Sequence, residues 1–512
     1  MTALIVLALV VLCLIPVRRA KACTGVYVGK KVSRDGSTMI ARTLDLHPLN
    51  TLMREEVTPR IEGVQGRHYT GRHGFSWPLP ETTYRLISTP AVSSGRWGRF
   101  GSACLNERGL CVTGTVTAYI RPELRALDPE VQEGLCEEVV TELIALTCET
   151  AREGVELIGR IMREVGSDEQ NIIMLADRRE AWYVETYTGH QWAAVRMPED
   201  QAAVFGNEFM LGAVDPADEG FLCSDRLFSL PEAAGLAVYD AAGRMDLFAT
   251  YAGHAVDYAN GRTWLGHRTF APDATGDFVT GKRYGLFFTP ERQLGPEDVM
   301  ALFRHRFEGT PYSPDETGRR DWRVIGYEAT CTSHVLCVYG RLPAEMCVVG
   351  WLSLANAEHS VYLPVSNLSN RLSEGFTRDS APGDAPRYDP SLAAVRFKRL
   401  CALAEQDRRL YGAGVRGYWK EREEALLRAF PEVLARAEAL YQKEPAQAQA
   451  LLNDFICRAQ EQALRDADRL FEELLWYVMG TTETFDYVYS YSTTRLTPKE
   501  VKPFSPSGVT PG

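Results

Sequence analysis

A cysteine at position 23, an arginine at 42 and an aspartate at 45 form a reactive set: a nucleophile, a cation and a carboxylate. Cys23 follows an apolar leader that closes Ala20-Lys21-Ala22, and small residues at 20 and 22 fit a signal-peptidase cut before the cysteine. That cut would make Cys23 the first residue of the mature chain. An N-terminal cysteine carries two tools at once. Its thiolate is a nucleophile, and its free α-amine, titrating near pH ~8, can take the thiol proton. Downstream runs Ala41-Arg42-Thr43-Leu44-Asp45. If a strand there returns beside the first, Arg42 and Asp45 come back to the Cys23 end. An arginine would favour the thiolate, and an aspartate could hold the α-amine by a charge-assisted hydrogen bond. The plain alternative is a surface arginine and a turn aspartate.

The elements that must position these residues follow from periodicity. Residues 23–29 read as a strand, Arg34-Asp35-Gly36 as a turn and residues 37–42 as the returning strand. Residues 84–92 read as a further strand, and 103–105 with 110–116 flank the turn Asn106-Glu107-Arg108-Gly109 as a second hairpin. The period then changes: apolar residues three and four apart predict helices over 135–148 and 151–165. Strands resume at 171–176, 181–187 and 191–196. Residues 296–307 read as a helix, and 334–339 and 346–352 as strands. Ser, Gly, Asp and Pro cluster near 373–390. A helical stripe from Leu452 to Val478 follows.

This order implies an α+β protein with layered sheets and a helical appendage. The expected organisation is a signal peptide or propeptide over 1–22, a catalytic domain over 23–372, a helical C-terminal region over 391–480 and an irregular tail over 481–512.

Composition narrows the function classes. The 512 residues are 45% hydrophobic and 24% charged, ordinary for a globular protein with a large core. The formal net charge of −11 argues against nucleic acid or an anionic membrane as main partner. The apolar run of residues 3–15 is shorter than the ~20 residues of a membrane span. No second long apolar segment follows, so the mature chain has no expected integral membrane segment. The leader is atypical, because Arg18, Arg19 and Lys21 lie after the apolar run and none before it. Secretion or the cell envelope is expected, with the cytoplasm left open. A homo-oligomer is also left open. The twelve cysteines form no CxxC or Cys/His ligand spacing, so neither a metal nor another cofactor is expected. Beyond Cys13 and Cys23, ten remain that could pair or stay as buried thiols.

Cys23-Thr24-Gly25, followed by Ala41-Arg42-Thr43-Leu44-Asp45, resembles the start of the cysteine-type N-terminal-nucleophile hydrolases. These include the dipeptidase A family, penicillin V acylases and bile salt hydrolases. Leu105-Asn106-Glu107-Arg108-Gly109-Leu110 resembles a shared hairpin. The segments at 150–154, 176–182, 189–192, 307–312 and 332–335 resemble the dipeptidase branch. The likeness spans roughly residues 23 to 370. It implies a four-layer αββα sandwich and hydrolysis of unblocked dipeptides through Cys23 and a thioester. It also implies an oxyanion hole made by the Asn207 side chain and a backbone N–H near Val116. The acylases' second arginine has no placed counterpart, Arg226 being the nearest candidate.

Two rivals remain at this level. One is an amidase of acylated substrates, of the bile salt hydrolase or penicillin V acylase kind. The other is a non-catalytic surface lipoprotein, acylated on Cys23, that binds peptides. His190, His254, His267 and His334 invite a Cys/His dyad, but a lone histidine is more often structural. Asn367-Leu368-Ser369 fits a glycosylation triplet.

Overall fold

The computed structural model describes residues 23–46, 51–93, 100–114, 117–254, 256–381, 387–481, 485–489, 494–498 and 501–507. The leader and Val116 lie outside them. Fifteen strands build two large sheets. In chain order they begin with β1 (Thr24–Val28), β2 (Thr38–Asp45), β3 (Glu56–Thr58), β4 (Leu86–Pro90), β5 (Gly101–Asn106) and β6 (Cys111–Thr113). Next come β7 (Asn171–Ala176), β8 (Ala181–Thr186), β9 (Trp192–Arg196), β10 (Ala202–Phe205), β11 (Phe221–Cys223) and β12 (Phe287–Phe288). The last three are β13 (Thr330–Val338), β14 (Val348–Leu354) and β15 (Leu363–Ser366).

The first sheet runs β12-β10-β1-β2-β13-β14-β15 and the second β11-β9-β8-β7-β6-β5-β4-β3, antiparallel throughout. The sheets face each other where β2 meets β6 and β7. Helices α1 (Glu137–Thr147) and α2 (Ala151–Glu164) cover the outer face of the second sheet. The outer face of the first carries α3 (Asp257–Phe270) on β10, α4 (Pro296–Arg304) on β13, and α5 (Ala393–Ala404) on β14. The long helices α6 (Gly412–Tyr441) and α7 (Pro445–Gly480) both reach β15. The chain is therefore an αββα sandwich with a helical C-terminal region.

A sheet buried on both faces explains why its strands read as apolar runs without alternation. In β7, Ile172 and Met174 face the inter-sheet core, while Ile173 and Leu175 join the core under α1 and α2. In β8, Tyr183 points inward, and Trp182 packs outward as a core residue. Helix α2 starts where Thr150 and Glu153 form a capping box, each side chain satisfying the other's backbone N–H.

One expectation needs correction, and two readings left open by the sequence are decided. The tail is not wholly irregular, since Phe485–Tyr489 pairs antiparallel with Thr494–Pro498. Aromatic residues alternating at 485, 487 and 489 give that segment strand character. The eleven described cysteines are all free thiols, most of them buried. Asn367 is not presented for glycosylation. It is buried, and its Nδ2 donates to the carbonyls of Asn106 at 3.0 Å and Ala344 at 2.8 Å.

Candidate active site

Antiparallel register brings the candidate residues to one end of β1. Gly25 pairs with Phe205 on one side and Arg42 on the other. Continuing the first register by two residues sets Asn207 level with Cys23, and the Cys23 N–H donates to Asn207 Oδ1 at 2.9 Å. Gly25 allows this packing, because a Cβ there would sit 2.3 Å from the Phe205 ring. Gly206 does the same for α3: a Cβ there would lie 2.8 Å from Arg262 Nη2 and from the Ala259 carbonyl.

Arg262 projects from α3 and is fully buried. Its Nη2 donates to Asn207 Oδ1 at 2.9 Å, and its Nη1 donates to the Cys23 carbonyl and to Thr24 Oγ1, the latter at 3.2 Å. Two donors converging on one oxygen fix the Asn207 amide, since the opposite flip would set its NH₂ against the guanidinium. Asn207 Nδ2 donates one hydrogen to the Thr117 carbonyl at 2.8 Å. The other hydrogen has no partner among the described residues. Burial lowers the Arg262 pKa to about 10, opposed by Tyr258, whose ring lies 5.1 Å from the guanidinium carbon.

On the β2 side, Arg42 is as buried as Cys23, each 1% exposed. Its Nη2 meets Glu137 Oε1, at the start of α1, at 3.0 Å. Its Nε and Nη1 have no hydrogen-bond partner among the described residues. Burial pushes the Cys23 thiol pKa up, and Arg42 is the strongest opposing influence; Glu137 and Asp45 push it further up, and the Asp45 backbone N–H bonds to the thiol and lowers it. A raised pKa favours the thiol over the thiolate, and a buried thiol used as a nucleophile would need a base beside it.

Asp45 is near Cys23 but does not hold the Cys23 nitrogen. Its carboxyl instead accepts from Arg323 Nη2 at 2.6 Å, from Thr43 Oγ1 at 3.2 Å and from Thr330 Oγ1. The nitrogen is held by Asn207.

None of the four candidate histidines shows a hydrogen bond to Cys23 among the described residues. His334 lies opposite Arg42 on β13, and its Nε2 meets Thr113 Oγ1 at 2.7 Å across the sheets. Burial, then Arg42, holds its pKa well below 6.5. Burial also lowers His267 to about 4, and His190 is tied to Asp128 through Nδ1 at 2.8 Å. His254 is exposed.

The structure thus gathers Cys23, Arg42, Asp45 and Asn207. Val116 lies outside the described residues, although its neighbour Thr117 reaches Asn207. Arg226 is exposed and belongs to a different surface. The arginine missed in the sequence is Arg262. Its signal was weak, because α3 has polar residues on several sides and no motif flags one of them. Glu358, His359 and Glu405 approach one another, but Arg408 ion-pairs with both carboxylates and Arg416 Nη1 lies 3.0 Å from His359 Nε2. Positive charge already occupies the place a cation would take.

A family profile described as Peptidase family C69 matches residues 22–418. The chain belongs to peptidase family C69. Among curated relatives, a probable dipeptidase B of Streptococcus pyogenes serotype M1 is 32% identical over 377 residues, covering 70% of this chain and 74% of its own. A probable dipeptidase of Salmonella dublin is 32% identical over 351 residues, covering 67% and 80%. A probable dipeptidase B of Lactococcus lactis subsp. lactis is 32% identical over 389 residues, covering 73% and 79%. Among solved structures, a variant of conjugated bile acid hydrolase from Clostridium perfringens aligns at 10% identity with TM-score 0.28, covering 67% of this chain and 92% of that one. That score is too low to carry an argument, and the fold assignment to this C69 peptidase rests on its own layers.

Proposed function

We propose that this C69 peptidase hydrolyses unblocked dipeptides, with Cys23 as N-terminal nucleophile once the leader is removed. The observation that carries this reading is the Cys23 nitrogen held by Asn207 Oδ1 beside a buried thiol. In the precursor that nitrogen is an amide and no base. Freed as an amine, it takes the thiol proton while Sγ attacks the peptide carbonyl. Asn207 Nδ2 donates its remaining hydrogen to the oxyanion, with a backbone N–H near Val116 as the second donor. Such donors are each worth about 2.7–4 kcal/mol when preorganised. The ammonium then protonates the leaving amine, and water resolves the thioester with the amine again as base. Arg42 favours the thiolate, and Arg262 holds the Cys23 carbonyl and Asn207 in place.

The dipeptide preference is supported by the relatives' names as probable dipeptidases. The test uses mature protein beginning at Cys23, assayed on a dipeptide library beside glycocholate and penicillin V. Dipeptide turnover that survives EDTA and stops on thiol alkylation is expected. Turnover confined to the acylated substrates would replace the dipeptidase reading with an amidase one.

A further inference from the structure

We propose that Arg323 is a positioning residue, which latches Asp45 in its ionised form against Cys23. This rests on the reading of Cys23 as nucleophile. Asp45 has a wholly buried side chain, and two of its donors are neutral hydroxyls, of Thr43 and Thr330. The charged donor among the described residues is Arg323, whose Nη2 lies 2.6 Å from Asp45 Oδ2. Arg323 is itself fixed. Its guanidinium stacks 3.5 Å above the Tyr327 ring, and Nη1 donates to the Val324 carbonyl. Its side chain is only 10% exposed, so the pair is not weakened as a surface pair would be.

The segment carrying Arg323 grips the site from two sides. Its neighbour Trp322 packs on α3 at Gly261, where a Cβ would come within 2.5 Å of the indole. The next residue of α3 is Arg262, which holds Cys23 and Asn207. Trp322 also stacks on Tyr312 with ring centroids 3.9 Å apart. One stretch of chain therefore braces Arg262 through packing and Asp45 through charge.

The charge matters when the thiol gives its proton to the α-amine, because an ionised Asp45 close by offsets the ammonium formed. Burial raises the Asp45 pKa above its ordinary value, and Arg323 is the largest influence opposing that rise. The other titratable groups around Asp45 are Cys23 just before β1, Arg262 on α3, Cys331 on β13 and Tyr362 before β15. Of these, Arg262 alone adds positive charge, and it is already shared by Cys23 and Asn207.

The experiment follows Cys23 in the mature protein by two readouts: the pH profile of kcat/KM on a dipeptide, and the pH dependence of Cys23 alkylation by iodoacetamide, read by mass spectrometry of the N-terminal peptide. In Arg323→Gln the acid inflection of both is expected to move up by about one pH unit or more, the usual effect of losing an opposite charge. Arg323→Lys keeps the charge, so its inflection stays near wild type while turnover falls with loss of the forked geometry. Tyr327→Leu removes the ring under the guanidinium and moves the inflection the same way by less. An unmoved inflection in folded Arg323→Gln overturns the proposal. If that variant does not fold, an unmoved inflection in Tyr327→Leu overturns it. A wild-type protein that is alkylated at Cys23 but turns over no dipeptide would sink the functional reading alone.

Discussion

Two buried polar clusters invite comparison: the knot around Glu185, deep between the sheets, and the Cys23 end of β1. The Glu185 carboxylate accepts from Tyr183 and Tyr187 hydroxyls at 2.7 Å each, and from the backbone N–H groups of Met210 and Leu211. Burial raises its pKa, and each of these donors opposes that. At the Cys23 end the arrangement is incomplete. Among the described residues, Arg42 keeps two donor nitrogens without partners, and Asn207 Nδ2 makes one bond. Burying unsatisfied donors costs folding energy. The Glu185 cluster closes on itself, whereas the proposed function gives the donors at the Cys23 end a substrate to meet.

The comparison is broken or sharpened by substitutions in each cluster. The largest effect is expected from Cys23→Ala, which should fold like wild type and lose all turnover; residual activity well above background would return the chemistry to another group. A precursor blocked at Ala22-Cys23 should be folded and equally inactive, as followed by N-terminal sequencing alongside activity. Asn207→Ala should lower kcat about 10²–10³-fold. A drop of only a few-fold would make Asn207 a structural anchor of the Glu185 kind.

In the knot the signs reverse. Tyr187→Phe removes a donor to a buried carboxylate and should lower unfolding free energy by about 1.5–3 kcal/mol, with kcat within a few-fold of wild type. Denaturant titration beside steady-state kinetics measures both.

Glu55 offers the smallest and most specific test, lying between the two types. Gln460 donates to its Oε2 at 2.7 Å, but its Oε1 has no partner among the described residues, and burial raises its pKa to about 8. A carboxyl raised in the folded state binds its proton more tightly there than when unfolded. Its contribution to stability is therefore complete below about 4.5 and is lost as pH rises through about 8. Glu55→Gln should match wild type at the acid end of that window and exceed it at the alkaline end. Equal stability throughout would show that Glu55 is solvated in solution.

Much of the sandwich was legible in the chain. The helices expected at 135–148 and 151–165 are Glu137–Thr147 and Ala151–Glu164, because their apolar spacing and the Thr150 cap are local signals. The strands at 171–176, 181–187 and 191–196 differ from β7, β8 and β9 by at most one residue at an end. The 485–498 hairpin was hidden by the polar residues around it.

The first strand and its return could be read directly from the residues, with Cys23 at the open end and Arg42 and Asp45 on the way back. Hairpin register is local, so residue types and spacing suffice for it. Which group each side chain touches was decided only by the tertiary structure. Asp45 looked free to hold the Cys23 nitrogen, but Arg323, distant in sequence, claims its carboxyl. Arg262 carried no signal in the sequence; α3, packed over Gly206, turns its guanidinium toward Cys23. Glu137 reaches Arg42 because α1 begins beside the end of β2. Pairings between buried charges depend on how whole layers dock, and no local pattern in the chain encodes that docking.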